Sequence, residues 1–353
     1  MRILYVAGRE ENYSRTRIVY KALKAQGFDV LGCFPSSKSF AHYPRLIWRA
    51  ARLARKCDII IIGFYGQIIL PFIKLLTCKP ILFDMYIATF DTMVNDRRTV
   101  GARSLKACFY KWSDMLACWL SKRLVLETDD HIYDFAKKFH VHPAKFQRVF
   151  LAVDDSSIYP RHVDKTSATF LVHFHGEYAP FHGVKYILQA ANILSRENVH
   201  FQIIGKGITH EADQQLAHEL GLTNVSFIDP VPYEELADYM ARADVCLGIF
   251  GDNERMLRVL TNKVIESIAM GKPLITGRNA PVQELLTHGK SAYLVERANP
   301  QVLAQAILTL KNDADLRQTI ASGGYETFKA HCTLEKLGQG FANILRNMNS
   351  NGY

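Results

Sequence analysis

Two doubly wound α/β domains in tandem are predicted by three observations on the 353-residue sequence. Short apolar runs alternate with amphipathic segments along almost the whole chain. Turns between them are short, which means parallel sheets with helices on both faces. Near the middle, "DDSSIYPRHVDKTSAT" is polar, proline-bearing and without pattern, so the chain divides there. The length allows each half its own core. The predicted architecture is therefore two Rossmann-like, doubly wound parallel-sheet domains facing a central cleft. Ligands belong at the carboxyl ends of the strands.

In the first half, "RILYVA", "DIIIIGF", "PILFDMY" and "RLVLET" read as strands, and "SRTRIVYKALKAQG" as a helix. The long apolar stretch "DIIIIGFYGQIILPFIKLLTCKPILF" is interrupted by Gly63, Gly66, Gln67, Pro71, Lys74 and Lys79. A spanning helix needs roughly 20 predominantly apolar residues, so this stretch reads as strand, turn, helix and strand. In the second half the strands are "TFLVHFHG", "HFQIIG", "VSFIDP", "DVCLGIF", "PLITG" and "AYLV". Helical patterns intervene at "VKYILQAANILSRE", "HEADQQLAHELG", "YEELADYMARA", "NKVIESIAMG" and "PQVLAQAILTLKN". The predicted bounds are 1–155 for a basic first domain and 166–330 for a second domain. A C-terminal helix over 331–353 follows, with a return to the first domain as one option.

Hydrophobic content of 48% and charged content of 22% exclude a disordered chain. "MRILYVAG" enters a strand pattern at once, so no secretory signal is expected. The cysteines (Cys33, Cys57, Cys78, Cys108, Cys118, Cys246, Cys332) are seven, scattered, with no C-x-x-C pair. Reduced thiols fit that pattern better than a disulfide frame or a zinc site.

Charge is uneven. Residues 1–150 hold 25 Lys+Arg against 12 Asp+Glu, a net +13, while the remainder is net −4. The first half is therefore expected to face an anionic surface or substrate, against the alternative of a merely solvated basic surface. "PRLIWRAARLARKC" sets Arg45, Arg49, Arg52 and Lys56 along one helical stripe beside Leu46, Ile47, Ala50, Leu53 and Ala54. "RSLKACFYKWSDMLACWLSKR" interleaves basic residues with Phe109, Tyr110, Trp112 and Trp119. Such helices suit an anionic bilayer surface, and they also suit a half-buried place on the first sheet. No nucleic-acid motif is present.

In "RVLTNKVIESIAMGKPLITG", Val264, Ile265, Ile268 and Ala269 have helical spacing, which puts Glu266 on the opposite, open face. "HFHGEYAPFHGVKYILQAANIL", "HFQIIGKG", "VSFIDPVPYEELADYMARADVCLGIFG", "TNKVIESIAMGKPLITG" and "APVQELLTHGKSAYLVERANPQVLAQAI" follow in one order. Together they resemble the second domain of the retaining GT-B glycosyltransferases of the family-4 type, over about residues 168–330. The first domain is similar more loosely, through "KPILFDMYIATFDT" and "NDRR", as in bacterial surface-polysaccharide enzymes of this kind. "AGREENYSRTR" stands where these enzymes often have a double glycine.

The resemblance implies transfer of a sugar, with retention, from a nucleoside-diphosphate donor to a glycan or lipid-linked acceptor. It implies that Glu266 accepts bonds from the ribose hydroxyls, as a two-oxygen carboxylate can. Thr261 and Asn262 open a helix whose free amides favour the diphosphate, and Lys263 reaches the same anion. Gly176, His182, Gly183 and Val231 complete the donor contacts. The family pattern Glu, seven residues, Glu is broken, since Arg258 stands at the first position; Glu254 lies near, at an offset that should aim it elsewhere. Arg258 is expected to stabilise the departing diphosphate, compensating for His182 at the place of a family lysine, with binding of a carboxylated donor sugar or a degenerate, inactive site as the alternatives. Asp84, Tyr86 and Asp91 are the acceptor-side candidates, although Asp91 could equally cap a helix. His173 and His175 read as structural, and "IGKG" is too short for a dinucleotide fingerprint. The expectation is a metal-independent enzyme without cofactor, cytoplasmic and peripheral at the inner face of the membrane. A nucleotide-sugar epimerase and a non-catalytic module of the same build are the alternatives.

Overall fold

The computed structural model describes residues 1–37, 39–163 and 168–350. Residues 164–167 of the expected interdomain break and 351–353 of the expected final helix lie outside the described residues. The chain forms two compact units, one containing Met1–Ala152 together with the helix Leu334–Ser350, the other Val153–Thr333.

In the first unit six parallel strands are β1 (Arg2–Val6), β2 (Asp29–Cys33), β3 (Ile59–Ile62), β4 (Ile81–Asp84), β5 (Arg123–Leu126) and β6 (Phe146–Arg148). Their order is β2-β1-β3-β4-β5-β6. All four isoleucines of β3 are buried, as a central strand covered on both faces requires. One face packs against the helices Tyr43–Ala54, Leu70–Leu76 and Leu105–Leu120. The other face is covered by Ser14–Ala25 and by Leu334–Ser350, whose Leu337, Phe341 and Leu345 join Ile3, Tyr5, Val19 and Leu23.

The second unit has β7 (Phe170–His175), β8 (Val199–Ile204), β9 (Val225–Ile228), β10 (Val245–Leu247), β11 (Leu274–Gly277) and β12 (Tyr293–Val295). These are parallel, in the order β12-β11-β10-β7-β8-β9. The chain reverses direction across the sheet between β7 and β10. Ligand sites of such sheets lie beyond the carboxyl ends of the strands at that point. Sequence reading missed β2 and β6, both edge strands, and the helices Asp129–Phe139 and Ala314–His331. Edge strands are half exposed, and β6 has only three residues, too few for a pattern. Among the described residues no helix is long and apolar enough to cross a membrane.

Candidate functional site

At the end of β7 the chain turns through Gly176, at φ +138°. A Cβ there would sit 2.8 Å from Lys263 Nζ, so the missing side chain makes room for the lysine. Gly183, at φ +69°, opens the helix Val184–Ile193 against the backbone of Gly251, which a Cβ would meet at 2.6 Å.

The helix Asn262–Ala269 follows β10 and turns out deeper than its sequence suggests. Every residue from Lys263 to Ala269 is buried. Glu266, expected on an open face, is only 6% exposed. The apolar stripe predicted one covered side, but the strand end of β7 closes the other. His175 Nε2 lies 2.8 Å from Glu266 Oε2.

Lys263 is 4% exposed, and its ammonium has no hydrogen-bond partner among the described residues. It rests over the Phe174 ring, 4.3 Å from the centroid. Burial lowers its pKa to about 7, against the attraction of Glu266 and Glu177. Thr261 sits at the N-cap of the same helix with no capping bond, its hydroxyl buried and without a partner among the described residues. An unneutralised lysine, an idle hydroxyl and the amide end of a helix together make an anion-binding position.

His182 is buried in the same group, and its Nδ1 donates to the Glu177 carbonyl. Burial first, and then Lys263, hold its pKa well below the ordinary value. It is therefore a neutral ring that pins the glycine loop, not a cation in place of the family lysine. Arg258 ends the short helical segment Glu254–Arg258. Its Nη2 donates to Glu254 Oε2 at 2.9 Å, so the four-residue offset that was expected to aim Glu254 elsewhere aims it at Arg258. Asn279 holds this segment through bonds to the Met256 and Val259 carbonyls. Val231 lies half-buried between β9 and the helix Tyr233–Arg242.

In the first unit, Asp84 ends β4 and is already engaged. Arg15 Nε and Nη2 donate to its two oxygens at 2.9 and 2.8 Å, with both side chains buried. That two-pronged pairing removes Asp84 from the free carboxylates and leaves it as the anchor of Arg15. Tyr86 follows in the left-handed region at φ +39°, with the Arg15 guanidinium 5.4 Å from its ring centroid. Asp91 does not cap a helix; it lies within the π-helical turn Asp91–Asp96, bound by Lys138 and Asn95. The capping carboxylate is Asp114, from the helix Leu105–Leu120, which accepts from the Thr89 and Phe90 amides at 3.0 and 2.9 Å. Burial raises Asp114 to about 7.

The structure thus gathers Gly176, His182, Lys263 and Glu266, bordered by Gly183 and Thr261. Sequence reading missed Arg15, Asp114, Phe174 beneath the lysine and the bond from His175. The alternation of His173 and His175 on one strand face was visible; their partner, 91 residues away from His175, was not. Among the described residues no group of His, Cys, Asp and Glu could hold a metal.

Residues 169–313 match the family described as glycosyl transferases group 1. The matched residues lie within the second unit, and the two Rossmann-like units have the GT-B fold. The chain is 27% identical over 218 residues to a D-inositol 3-phosphate glycosyltransferase of Corynebacterium urealyticum, covering 56% of this chain and 50% of that protein. It is 28% identical over 151 residues to a GDP-mannose-dependent alpha-(1-6)-phosphatidylinositol monomannoside mannosyltransferase of Mycobacterium tuberculosis, covering 41% and 38%. Matches therefore span about half the length, or less, of these curated relatives. The solved structure of Anabaena HepE in complex with UDP-glucose superposes with a TM-score of 0.76 at 16% identity, covering 98% of this chain and 100% of that one.

Proposed function

We propose that the chain is a glycosyltransferase. Its second unit holds a nucleoside-diphosphate sugar, and the sugar passes, with retention, to a glycan or lipid-linked acceptor. The observation that carries this reading is Lys263, buried and unpartnered at the start of the helix that presents Glu266. An ammonium so placed is costly unless an anion arrives. The relatives named for glycosyl transfer and the UDP-glucose complex of HepE support a nucleotide sugar as that anion.

In the reaction, the bond between the anomeric carbon and the diphosphate oxygen breaks. A bond to the acceptor oxygen forms on the same sugar face, and the acceptor proton passes to the departing phosphate. The protein's part is positioning and charge. Lys263, Thr261 and the amides at Asn262 neutralise the diphosphate, and Glu266 holds the ribose. Arg258 adds charge where the leaving group departs. No metal is required for these roles.

The first unit is the proposed acceptor side, docked peripherally on the cytoplasmic, anionic face of a membrane. Its neighbouring helices Tyr43–Ala54, Leu70–Leu76 and Leu105–Leu120 expose Trp48, Phe72, Leu75, Leu105, Phe109 and Trp112. Arg45, Arg49, Arg52, Lys106 and Lys111 are exposed among them. Aromatic and basic groups so mixed are the elements of an interfacial surface.

The test incubates the protein with UDP- and GDP-sugars and a lipid extract, following release of nucleoside diphosphate. Acceptor-dependent release, lost in Lys263→Met, is expected. Isomerised donor without release would establish an epimerase instead. Donor binding without either reaction would leave a non-catalytic module.

A further inference from the structure

Four buried or half-buried polar side chains form a line across the second sheet and end on the proposed ribose carboxylate. Gln202 Nε2 lies 2.8 Å from His173 Nδ1. His173 Nε2 lies 2.9 Å from His175 Nδ1, and His175 Nε2 lies 2.8 Å from Glu266 Oε2. Gln202 and His173 are register partners on β8 and β7. No sequence motif announces the line, and sugar transfer as described above makes no use of it.

We infer that this line is a positioning device: His175, with its tautomer fixed through His173 by Gln202, orients the Glu266 carboxylate for the two ribose hydroxyls. It rests on the reading of Glu266 as the ribose ligand.

The direction follows from donor and acceptor inventory. An ionised carboxylate only accepts, so His175 Nε2 must carry a hydrogen. In a neutral ring, its Nδ1 then accepts, which requires a hydrogen on His173 Nε2. His173 Nδ1 accepts in turn, and the amide nitrogen of Gln202 is the donor it needs. Turning the Gln202 amide over would reverse every bond and set a bare His175 nitrogen against a carboxylate. With both rings neutral, only one orientation satisfies all four groups. Burial and the neighbouring His175 hold His173 well below the ordinary imidazole pKa, in keeping with a neutral ring.

The consequence for Glu266 is geometric. One lone pair of Oε2 is committed to His175, which fixes the carboxylate plane. Oε1 and the remaining lone pair of Oε2 stay available to two vicinal hydroxyls. A ligand carboxylate held by an outer hydrogen bond loses less freedom on binding, in the way that outer partners orient metal ligands.

The experiment compares UDP with 2′-deoxy-UDP, and GDP with 2′-deoxy-GDP, by calorimetry on the full chain. The parent should favour ribose by on the order of tenfold or more, as for a bond to a charged group. Glu266→Ala should abolish that preference. His175→Phe should bring it close to one, with a smaller loss of deoxynucleotide affinity through the remaining 3′-hydroxyl, and His175→Gln, which can still donate, should restore part of it. A preference undiminished in His175→Phe but lost in Glu266→Ala overturns the positioning role alone. A preference that survives Glu266→Ala, or a parent that binds neither nucleotide, overturns the ribose reading and this inference with it. Gln202→Leu, at a half-buried position, supplies a second line should His175→Phe not fold. Nitrogen-15 spectra of the parent should show both rings with the proton on Nε2. In Gln202→Leu, where Glu266 alone still selects the tautomer, a minor Nδ1-protonated population should appear in both rings, with a severalfold smaller ribose preference. A proton on Nδ1 of either ring in the parent overturns the direction of the chain.

Discussion

Replacing Lys263 with methionine should make the unliganded protein more stable and unable to hold a diphosphate. Methionine keeps the length and most of the volume of the side chain, and it can lie against Phe174 as the lysine does. The magnitude follows from the pKa, lowered from 10.5 to about 7 by burial. At about 1.4 kcal/mol per unit, the folded protein bears a penalty on the order of 4–5 kcal/mol. The attraction of Glu266 and Glu177 is already included in that shift, and the Phe174 face offsets a little more of the penalty. The sign is fixed by proton binding. Between about pH 7 and 10.5 the unfolded chain holds the Lys263 proton and the folded one does not, so stability rises with pH across that window. Below about 7 both states are protonated and the penalty is constant. The gain from Lys263→Met is therefore largest at and below neutral pH and shrinks towards pH 10. Scanning calorimetry is the assay, because Trp48, Trp112 and Trp119 all lie in the first unit and fluorescence would not report on the second. For a unit of this size a few kcal/mol corresponds to roughly 10 °C in Tm. Adding UDP or GDP should raise the parent's transition and leave the variant's unmoved. A variant no more stable than the parent at pH 6.5, or a difference independent of pH, would refute the uncompensated-lysine argument.

Arg258→Ala should lower single-turnover transfer by on the order of 100- to 1,000-fold, the usual cost of one transition-state donor, with a smaller loss of donor affinity. Arg258→Glu, which restores the family spacing but sets a second acid beside Glu254, should be the worst variant; parental transfer rates there would sink the role. Asp84→Asn should destabilise the first unit by about 3–5 kcal/mol, because it strands the buried Arg15 charge. Urea unfolding followed by tryptophan fluorescence measures this, and Arg15→Met with Asp84→Leu should recover most of the loss. Neutralising Arg45, Arg49, Arg52 and Lys56 together should reduce sedimentation with anionic liposomes and weaken its dependence on salt. Unchanged binding would confine that helix to a structural role.

The strand–helix alternation made the fold readable because buried parallel strands write themselves as apolar runs. "DIIIIGF" is the clearest case, its four isoleucines forming β3. Edge strands carry no such mark, and "DVLGC" of β2 is covered on too few positions to stand out. The candidate site was legible as a cluster where one segment supplies it, as with Thr261, Lys263 and Glu266 on a single helix. It was illegible where two distant segments share a charge. Asp84 looked available because its sequence neighbours say nothing of Arg15, 69 residues earlier. The bond between His175 and Glu266 was hidden for the same reason. Periodicity reports which face is covered; it does not report what covers it, and so the depth of Glu266 was underestimated.

The helix Leu334–Ser350 has a consequence for biosynthesis. Leu337, Phe341 and Leu345 cover Ile3, Tyr5 and Leu23, residues that leave the ribosome more than 300 positions earlier. At about 5–20 residues per second, the first sheet waits tens of seconds with one apolar face open. The second unit, continuous from Val153 to Thr333, is complete before that face is closed. The order of completion is thus inverted relative to the order of synthesis. A nascent chain halted before Leu334 would carry a finished second unit beside an unfinished first one. Premature stops in that region should therefore produce aggregation-prone chains with an intact second unit, not merely shortened ones.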